Sequence, residues 1–106
     1  MKVPHGTLAT VALALICSTY TLAESGADLY KSKGCSACHG SDGAGQTTMG
    51  KNLRVRDLGS ADVQNQSDEE LTAIITKGKG RMPAQEGKLS KEQINDLVKW
   101  IRKLKK

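Results

Sequence analysis

The stretch of sequence that decides the fold is Cys35-Ser36-Ala37-Cys38-His39, which lies in the first half of a 106-residue chain. Side chains three residues apart lie on the same side of a helical turn. If these residues form such a turn, Cys35 and Cys38 point to the same side, and His39 follows them directly. Both thiols could then bind one group, with the imidazole beside it.

C-x-x-C-H is the signature of covalent attachment of c-type haem. Cys35 and Cys38 would form thioethers with the two vinyl groups of one porphyrin, and His39 would lie beneath the iron as its proximal ligand. Covalent attachment also suits an exported protein, because the haem cannot be lost by dilution. We therefore predict one covalently bound haem c, attached through two thioethers.

Other interpretations of the two cysteines explain less of the sequence. A thioredoxin-like redox motif is expected within a βαβ pattern, and no such pattern surrounds these residues. A structural zinc site needs four ligands, whereas the chain after residue 23 has only two Cys and one His. A plain disulfide remains open, but it leaves the adjacent His39 without a role.

The first 23 residues have the layout of a secretory signal peptide. A basic start with Lys2 precedes an uncharged apolar run at residues 7–17, and small residues follow up to Ala23. The run is shorter than the ~20 residues that a membrane span needs. We predict export to the periplasm with cleavage after Ala23, which leaves one domain at residues 24–106. A lipoprotein acylated at Cys17 is the alternative, but the bulky Ile16 before it does not suit such a signal.

The predicted domain is small and poor in large apolar side chains. Residues 24–106 contain no Phe, and their only aromatic residues are Tyr30 and Trp100. A domain of this size buries only about 60–65% of the surface that its unfolded chain exposes. Small domains usually recruit a disulfide, a metal or a cofactor. A haem would supply the apolar group that this core lacks.

Three helical segments and no strand pattern predict an all-α fold. The first helix runs from about Ser25 to Lys33, and the other two begin with capping boxes at residues 67–70 and 90–93. The last helix carries an apolar stripe at helical spacing, formed by Ile94, Leu97, Val98, Ile101 and Leu104. Residues 40–66 form a long polar loop, and loops of this length usually wrap something or have a function.

With these features, the chain resembles the class I c-type cytochromes, small single-haem bacterial proteins, over about residues 27–104. The resemblance implies the cytochrome c fold, with three main helices and long loops wrapped around one covalent haem. In that family the first and last helices cross through aromatic and apolar side chains. Tyr30, Leu97 and Trp100 match those positions.

The resemblance also suggests the second axial ligand. Residues 78–84, Gly-Lys-Gly-Arg-Met-Pro-Ala, are similar to the family loop that brings a methionine to the iron. The rival is Met49, ten residues after His39, which would need a tight wrap to reach the opposite haem face. The predicted cofactor-binding residues are therefore Cys35, Cys38, His39 and Met82, with His39 and Met82 as the metal ligands.

The chain departs from the family pattern in the loop after the haem motif. The family often has Gly-Pro-x-Leu there, and the proline carbonyl accepts a hydrogen bond from the proximal histidine. This chain has Gly50-Lys51-Asn52-Leu53 instead. A backbone carbonyl near Lys51 could orient His39, since any residue supplies one.

The implied His/Met ligand pair favours an electron carrier, because it fills both axial positions and raises the reduction potential. No carboxylate pair or nucleophile–base pair indicates an enzyme, and no catalytic residue is predicted. We predict a periplasmic protein that shuttles one electron between larger redox partners. One alternative is a haem c subunit of a membrane oxidase or periplasmic oxidoreductase complex. Another is a ligand-binding or peroxidase-like haem protein.

The distribution of charge predicts the kind of partner. Without Lys2, the chain keeps 15 of its 16 Lys and Arg, against 11 Asp and Glu. We interpret residues 103–106 as a solvated helix end whose cations suit the helix dipole. Lys77, Lys79 and Arg81 precede Met82, so they would lie near the haem edge, and Lys33 could extend them. We predict a monomer that meets redox proteins through an acidic docking surface on the partner, without nucleic acid or stable membrane insertion.

Overall fold

The computed structural model of the protein describes residues 24–106 and contains six helices in this range. In chain order they are α1 (Gly26–Ser32), α2 (Ser36–His39), α3 (Thr48–Leu53), α4 (Ala61–Gln64), α5 (Asp68–Lys77) and α6 (Lys91–Arg102). The same range holds no strand beyond two isolated bridges. The predicted all-α class and cytochrome c fold are confirmed. The predicted signal peptide and Cys17 lie outside the described residues.

The three helices predicted from the sequence begin where their capping residues indicate. Ser25 Oγ accepts a hydrogen bond from the Asp28 amide at 3.2 Å. In the capping box of α5, Ser67 Oγ accepts from the Glu70 amide at 3.0 Å, and the Glu70 carboxylate accepts from the Ser67 amide at 2.9 Å. The box formed by Ser90 and Gln93 caps α6 in the same way. Each box satisfies backbone donors that the first turn of a helix leaves free.

The stretch from residue 40 to residue 66 is more ordered than the sequence predicts, because α3 and α4 lie within it. The Thr47 hydroxyl accepts from the Gly50 amide at 2.9 Å and donates to the Ala37 carbonyl of α2, also at 2.9 Å. A side chain at residue 50 would collide with the Cys38 carbonyl oxygen. Glycine therefore lets α3 lie directly against α2, a contact that a local pattern does not predict.

The core is organised by the crossing of α1 and α6. Leu29 and Tyr30 of α1 are buried, and so are Leu97 and Ile101 of α6. The rings of Tyr30 and Trp100 lie 4.2 Å apart between centroids, which is the packing expected from the family resemblance. The first and last helices therefore pack against each other, and together they form one wall of a cavity.

The C-terminal residues are tied to the loop before α4. Lys106 Nζ lies 2.6 Å from the Asp57 carboxylate, and the Lys106 amide donates to the Gly59 carbonyl at 3.1 Å. The Lys106 side chain is 64% exposed, so it remains solvated as the sequence predicts, but it is also paired with a residue 49 positions back along the chain. In the range 24–106, no helix has the length and apolar character that crossing a membrane requires.

Candidate functional site

A cavity of about 420 Å³ opens between α1, α2, α5, α6 and the loops that follow α3 and α5. All four predicted site residues line it: Cys35, Cys38, His39 and Met82. Met49 does not line the cavity, and this residue of α3 is 51% exposed. The fold therefore brings residues separated by more than forty positions to one space, and it leaves the rival methionine outside.

The helix α2 positions the first three of these residues. The Cys35 amide donates to the Tyr30 carbonyl at 3.1 Å, which joins α2 to the end of α1. The His39 amide donates to the Cys35 carbonyl at 3.0 Å, so the two residues lie one helical turn apart. Gly40 ends the turn with φ +82°. Both cysteines are half-buried, and no disulfide joins them.

The Cys35 thiol is not tuned as a reactive thiolate. Burial raises its pKa above the ordinary value, whereas the reactive cysteine of a C-x-x-C redox motif has a lowered pKa. The thioredoxin-like alternative therefore gains no support from this environment.

The His39 imidazole is half-buried, and burial lowers its pKa. This favours the neutral ring, which is the form that binds a metal. Its Nδ1 atom is buried and has no hydrogen-bond partner. No carbonyl near Lys51 accepts a hydrogen bond from this nitrogen. The Lys51 and Gly50 carbonyls accept from the Arg54 and Val55 amides at the end of α3.

The loop after α5 carries Met82 to the cavity. Lys79 and Met82 exchange two backbone hydrogen bonds, with N···O distances of 3.1 and 2.9 Å. The chain then returns along α5, where the Gln85 amide donates to the Ile75 carbonyl at 3.0 Å. Met82 is partly buried and packs against the core. The short turn is thus anchored on both sides, which holds the thioether at the cavity wall.

Apolar side chains form most of the remaining wall. They come from α1, α4, α5 and α6, and they include Tyr30, Val63, Leu71, Ile75, Leu97 and Ile101. The hydroxyl of Tyr30 turns away from open water and donates to the Gly40 carbonyl. A large, flat apolar group fits this lining, which also includes the two cysteine side chains, the His39 imidazole and the Met82 thioether. The residues present fit haem c.

Five cationic side chains also line the cavity, and all five are exposed: Lys33, Arg54, Arg56, Lys79 and Arg81. None of them is in a salt bridge within residues 24–106. Arg54 and Arg56 were not predicted from the sequence, because only the fold brings the loop after α3 to the cavity. Lys77 was predicted to lie near the haem edge, but it does not line the cavity. Its Nζ lies 3.7 Å from the Glu86 carboxylate instead.

Comparison with known proteins agrees with the geometry. Residues 21–101 match the family described as cytochrome C oxidase, cbb3-type, subunit III. The chain is 39% identical over 69 residues to cytochrome c6 of Leptolyngbya boryana, covering 63% of this chain and 75% of that protein. The solved structure of the KustC0563 c-type cytochrome superposes with a TM-score of 0.71 at 34% identity, covering 78% of this chain and all of the other. Sequence and fold point to the same class of protein.

Proposed function

Because the chain belongs to the cytochrome c family and binds haem c covalently, we propose that it is a periplasmic carrier of single electrons between larger redox proteins. The observation that carries this proposal is the cavity, in which Cys35, Cys38 and His39 meet Met82 from a separate loop. Similarity to cytochrome c6 and to a c-type cytochrome structure supports an electron carrier rather than an enzyme. The carrier acts as a monomer after export and cleavage behind Ala23.

Each of the four residues has one task in this proposal. Cys35 and Cys38 would hold the haem through thioethers, and His39 and Met82 would be the two ligands that the chain supplies to its iron. Haem c supplies reversible one-electron exchange when bound, with a potential that a His/Met pair raises. With both ligands supplied by the chain, no position would be left for a substrate.

The arginines at the cavity would neutralise the carboxylates of the haem. Arg54 and Arg56 follow α3 directly, and both line the cavity without an ion pair in the described range. A guanidinium presents a planar pair of donors that matches a carboxylate, which makes arginine suited to this task. Their location on one loop supports a shared role toward the carboxylate edge of the cofactor.

Lys33, Lys79 and Arg81 form the docking surface in this proposal. They are exposed, and they surround the cavity from the end of α1 and from the Met82 loop. Redox encounters use small interfaces that form and separate quickly. Long-range attraction raises the rate of encounter without lengthening the stay. The partner is therefore expected to present an acidic surface to these three residues.

The family description supports a second candidate, a haem c subunit that works only inside an oxidase complex. Oxidation of the purified, reduced protein by a soluble acidic redox protein separates the two. A carrier reacts in solution as a monomer, with a rate that rises in proportion to partner concentration. A subunit co-purifies with a membrane complex and transfers electrons efficiently only there. Slow, concentration-independent oxidation of the isolated protein would overturn the carrier proposal.

A further inference from the structure

One guanidinium joins the C-terminal helix to the segment that precedes α5. Arg102 donates to the Gln64 carbonyl at 2.8 Å from one terminal nitrogen, and to the Gln66 carbonyl at 2.6 Å from the other. Its Nε donates to the Asp68 carboxylate at 2.9 Å, and the terminal nitrogen that reaches Gln66 also lies 2.8 Å from the same carboxylate oxygen. The side chain of Arg102 is 30% exposed, whereas that of Asp68 is 67% exposed. The two carbonyl bonds are therefore better shielded from water than the ion pair.

The side chain of Gln64 reinforces the same junction from the opposite direction. Its Nε2 donates to the Leu58 carbonyl at 2.7 Å and to the Ile101 carbonyl of α6 at 2.9 Å. The backbone of Gln64 is at the same time an acceptor for Arg102. Two side chains thus fasten residues 58–66 to α6 through hydrogen bonds that mostly end on backbone carbonyls.

The segment fastened in this way is a wall of the cavity. Leu58, Val63, Gln66 and Leu71 line the cavity from this segment and the start of α5. Leu97 and Ile101 line it from α6. Arg102 and Gln64 themselves do not reach a predicted ligand. Their bonds instead fix how closely the wall that carries Gln66 approaches the wall that carries Ile101.

We propose that Arg102 and Gln64 are positioning residues that keep this wall closed over the haem and thereby set its exposure to water. The inference rests on the proposed placement of the haem in the cavity. Burial and solvent access are among the levers by which a protein sets a haem potential. An open wall admits water, which stabilises the more highly charged oxidised state and lowers the potential.

Arg102 acts through the carbonyls, not through its ion pair with Asp68. An exposed ion pair contributes little to stability, whereas a hydrogen bond from a charged group to a shielded carbonyl contributes more. Arginine is required because its planar fork reaches two carbonyls and a carboxylate together. A lysine at this position could keep the pairing with Asp68 but could not span all three acceptors.

The test compares the haem-loaded variants Arg102→Lys, Gln64→Leu and Asp68→Asn with the original protein. The midpoint potential and the affinity of the ferric protein for imidazole are measured under conditions where all remain folded. Arg102→Lys and Gln64→Leu are expected to lower the potential and to raise imidazole affinity by about tenfold, the factor that ~1.4 kcal/mol of lost closure gives. Asp68→Asn should change the affinity by less than about twofold. Lys99→Gln, on the outer face of α6, is the control and should change neither.

Unchanged potential and imidazole affinity in Arg102→Lys and Gln64→Leu would overturn the inference, even if both variants were less stable. The inference would also be overturned if Asp68→Asn changed the potential and the imidazole affinity as much as Arg102→Lys does. The ion pair, and not the carbonyl bonds, would then keep the wall closed. Failure of the proposed function looks different. The original protein would then already bind imidazole readily, because its distal position would not be held by Met82.

Discussion

The Trp100 ring packs on the Tyr30 ring, with their centroids 4.2 Å apart, at the place where α1 crosses α6. Gly26 lies at the same crossing, and a Cβ atom there would meet the Asp96 carbonyl oxygen and lie 2.8 Å from Trp100 Cβ. The absence of a side chain at residue 26 therefore allows the two helices to approach until the aromatic rings meet. Because Tyr30 also lines the cavity, the crossing helps to define the site.

Replacing Gly26 by alanine should force α1 away from α6. The added methyl group meets backbone of α6, which cannot move aside as a flexible side chain could. We expect a loss of about 1–3 kcal/mol in the free energy of unfolding, the usual effect of overpacking, measured by chemical denaturation of the haem-loaded protein. Lys99→Ala on the outer face of α6 is the control, expected within about 0.5 kcal/mol. If Gly26→Ala and the unchanged protein are equally stable, then α1 and α6 do not pack closely at residue 26.

The stability of the protein should fall in alkaline solution because of Tyr30. Burial raises the pKa of Tyr30 well above its ordinary value of 10.0. The unfolded chain therefore loses this proton near pH 10 while the folded chain still holds it. The contribution to stability is complete below pH 10 and is lost as the pH rises above that value.

Tyr30→Phe should remove this dependence. At neutral pH the variant is expected to be less stable by about 1 kcal/mol, since the hydrogen bond to the Gly40 carbonyl is lost. Above pH 10 the two stability curves should converge, as followed by urea unfolding at a series of pH values. Curves that stay parallel up to pH 11 would contradict the account of Tyr30.

The rate of electron transfer to an acidic partner should fall as salt rises. Screening acts over about 10 Å at 0.1 M ionic strength, so it weakens the attraction of Lys33, Lys79 and Arg81 for the partner. Charge reversal of Lys79 and Arg81 should flatten the salt dependence of the bimolecular rate. Reversal of Lys103 and Lys105 is the matched control, and it avoids Lys106, which pairs with Asp57. A rate indifferent to salt would mean that apolar contact selects the partner.

The exported protein should carry haem on a chain that begins at Glu24. Mass spectrometry of denatured periplasmic protein is expected to give the mass of residues 24–106 with one haem attached. Cys35→Ala with Cys38→Ala should yield colourless and poorly folded chain, because the haem supplies core that a small domain needs. A chain that begins at an acylated Cys17 would favour the lipoprotein alternative instead. A haem that is lost on denaturation would contradict attachment through thioethers.

The parts of the fold that the sequence predicts are those set by near neighbours. The capping boxes at Ser67 and Ser90 need only four consecutive residues, and the apolar stripe of α6 needs only helical spacing. The short helix α3 depends instead on Thr47 and Gly50 meeting the backbone of α2. Such a contact has no local signature, which is why this region was predicted as loop.

Some residues of the site can likewise be predicted from neighbouring sequence, whereas others are brought together only by the fold. Cys35, Cys38 and His39 fall within five consecutive residues, so their proximity follows from the sequence, and the loop pattern around Met82 suffices to suggest that residue. The partners of Arg102 lie 34 to 38 positions away, so no pattern along the chain reveals that junction. The acceptor for the His39 ring is a further example. A carbonyl near Lys51 could orient the ring, but in the described residues His39 Nδ1 has no hydrogen-bond partner, and no pattern along the chain shows this.

The central claim is that His39 and Met82 together fill both axial positions of a covalently bound haem. The most direct measurement is the visible spectrum of the periplasmically matured protein, oxidised and reduced, before and after addition of an exogenous ligand. We expect low-spin spectra in both states that the added ligand leaves unchanged, and the same for Met49→Ala. Met82→Ala should bind the ligand at once and have a lower potential. If the original protein binds the ligand readily, or if Met49→Ala opens the site and Met82→Ala does not, the claim is contradicted.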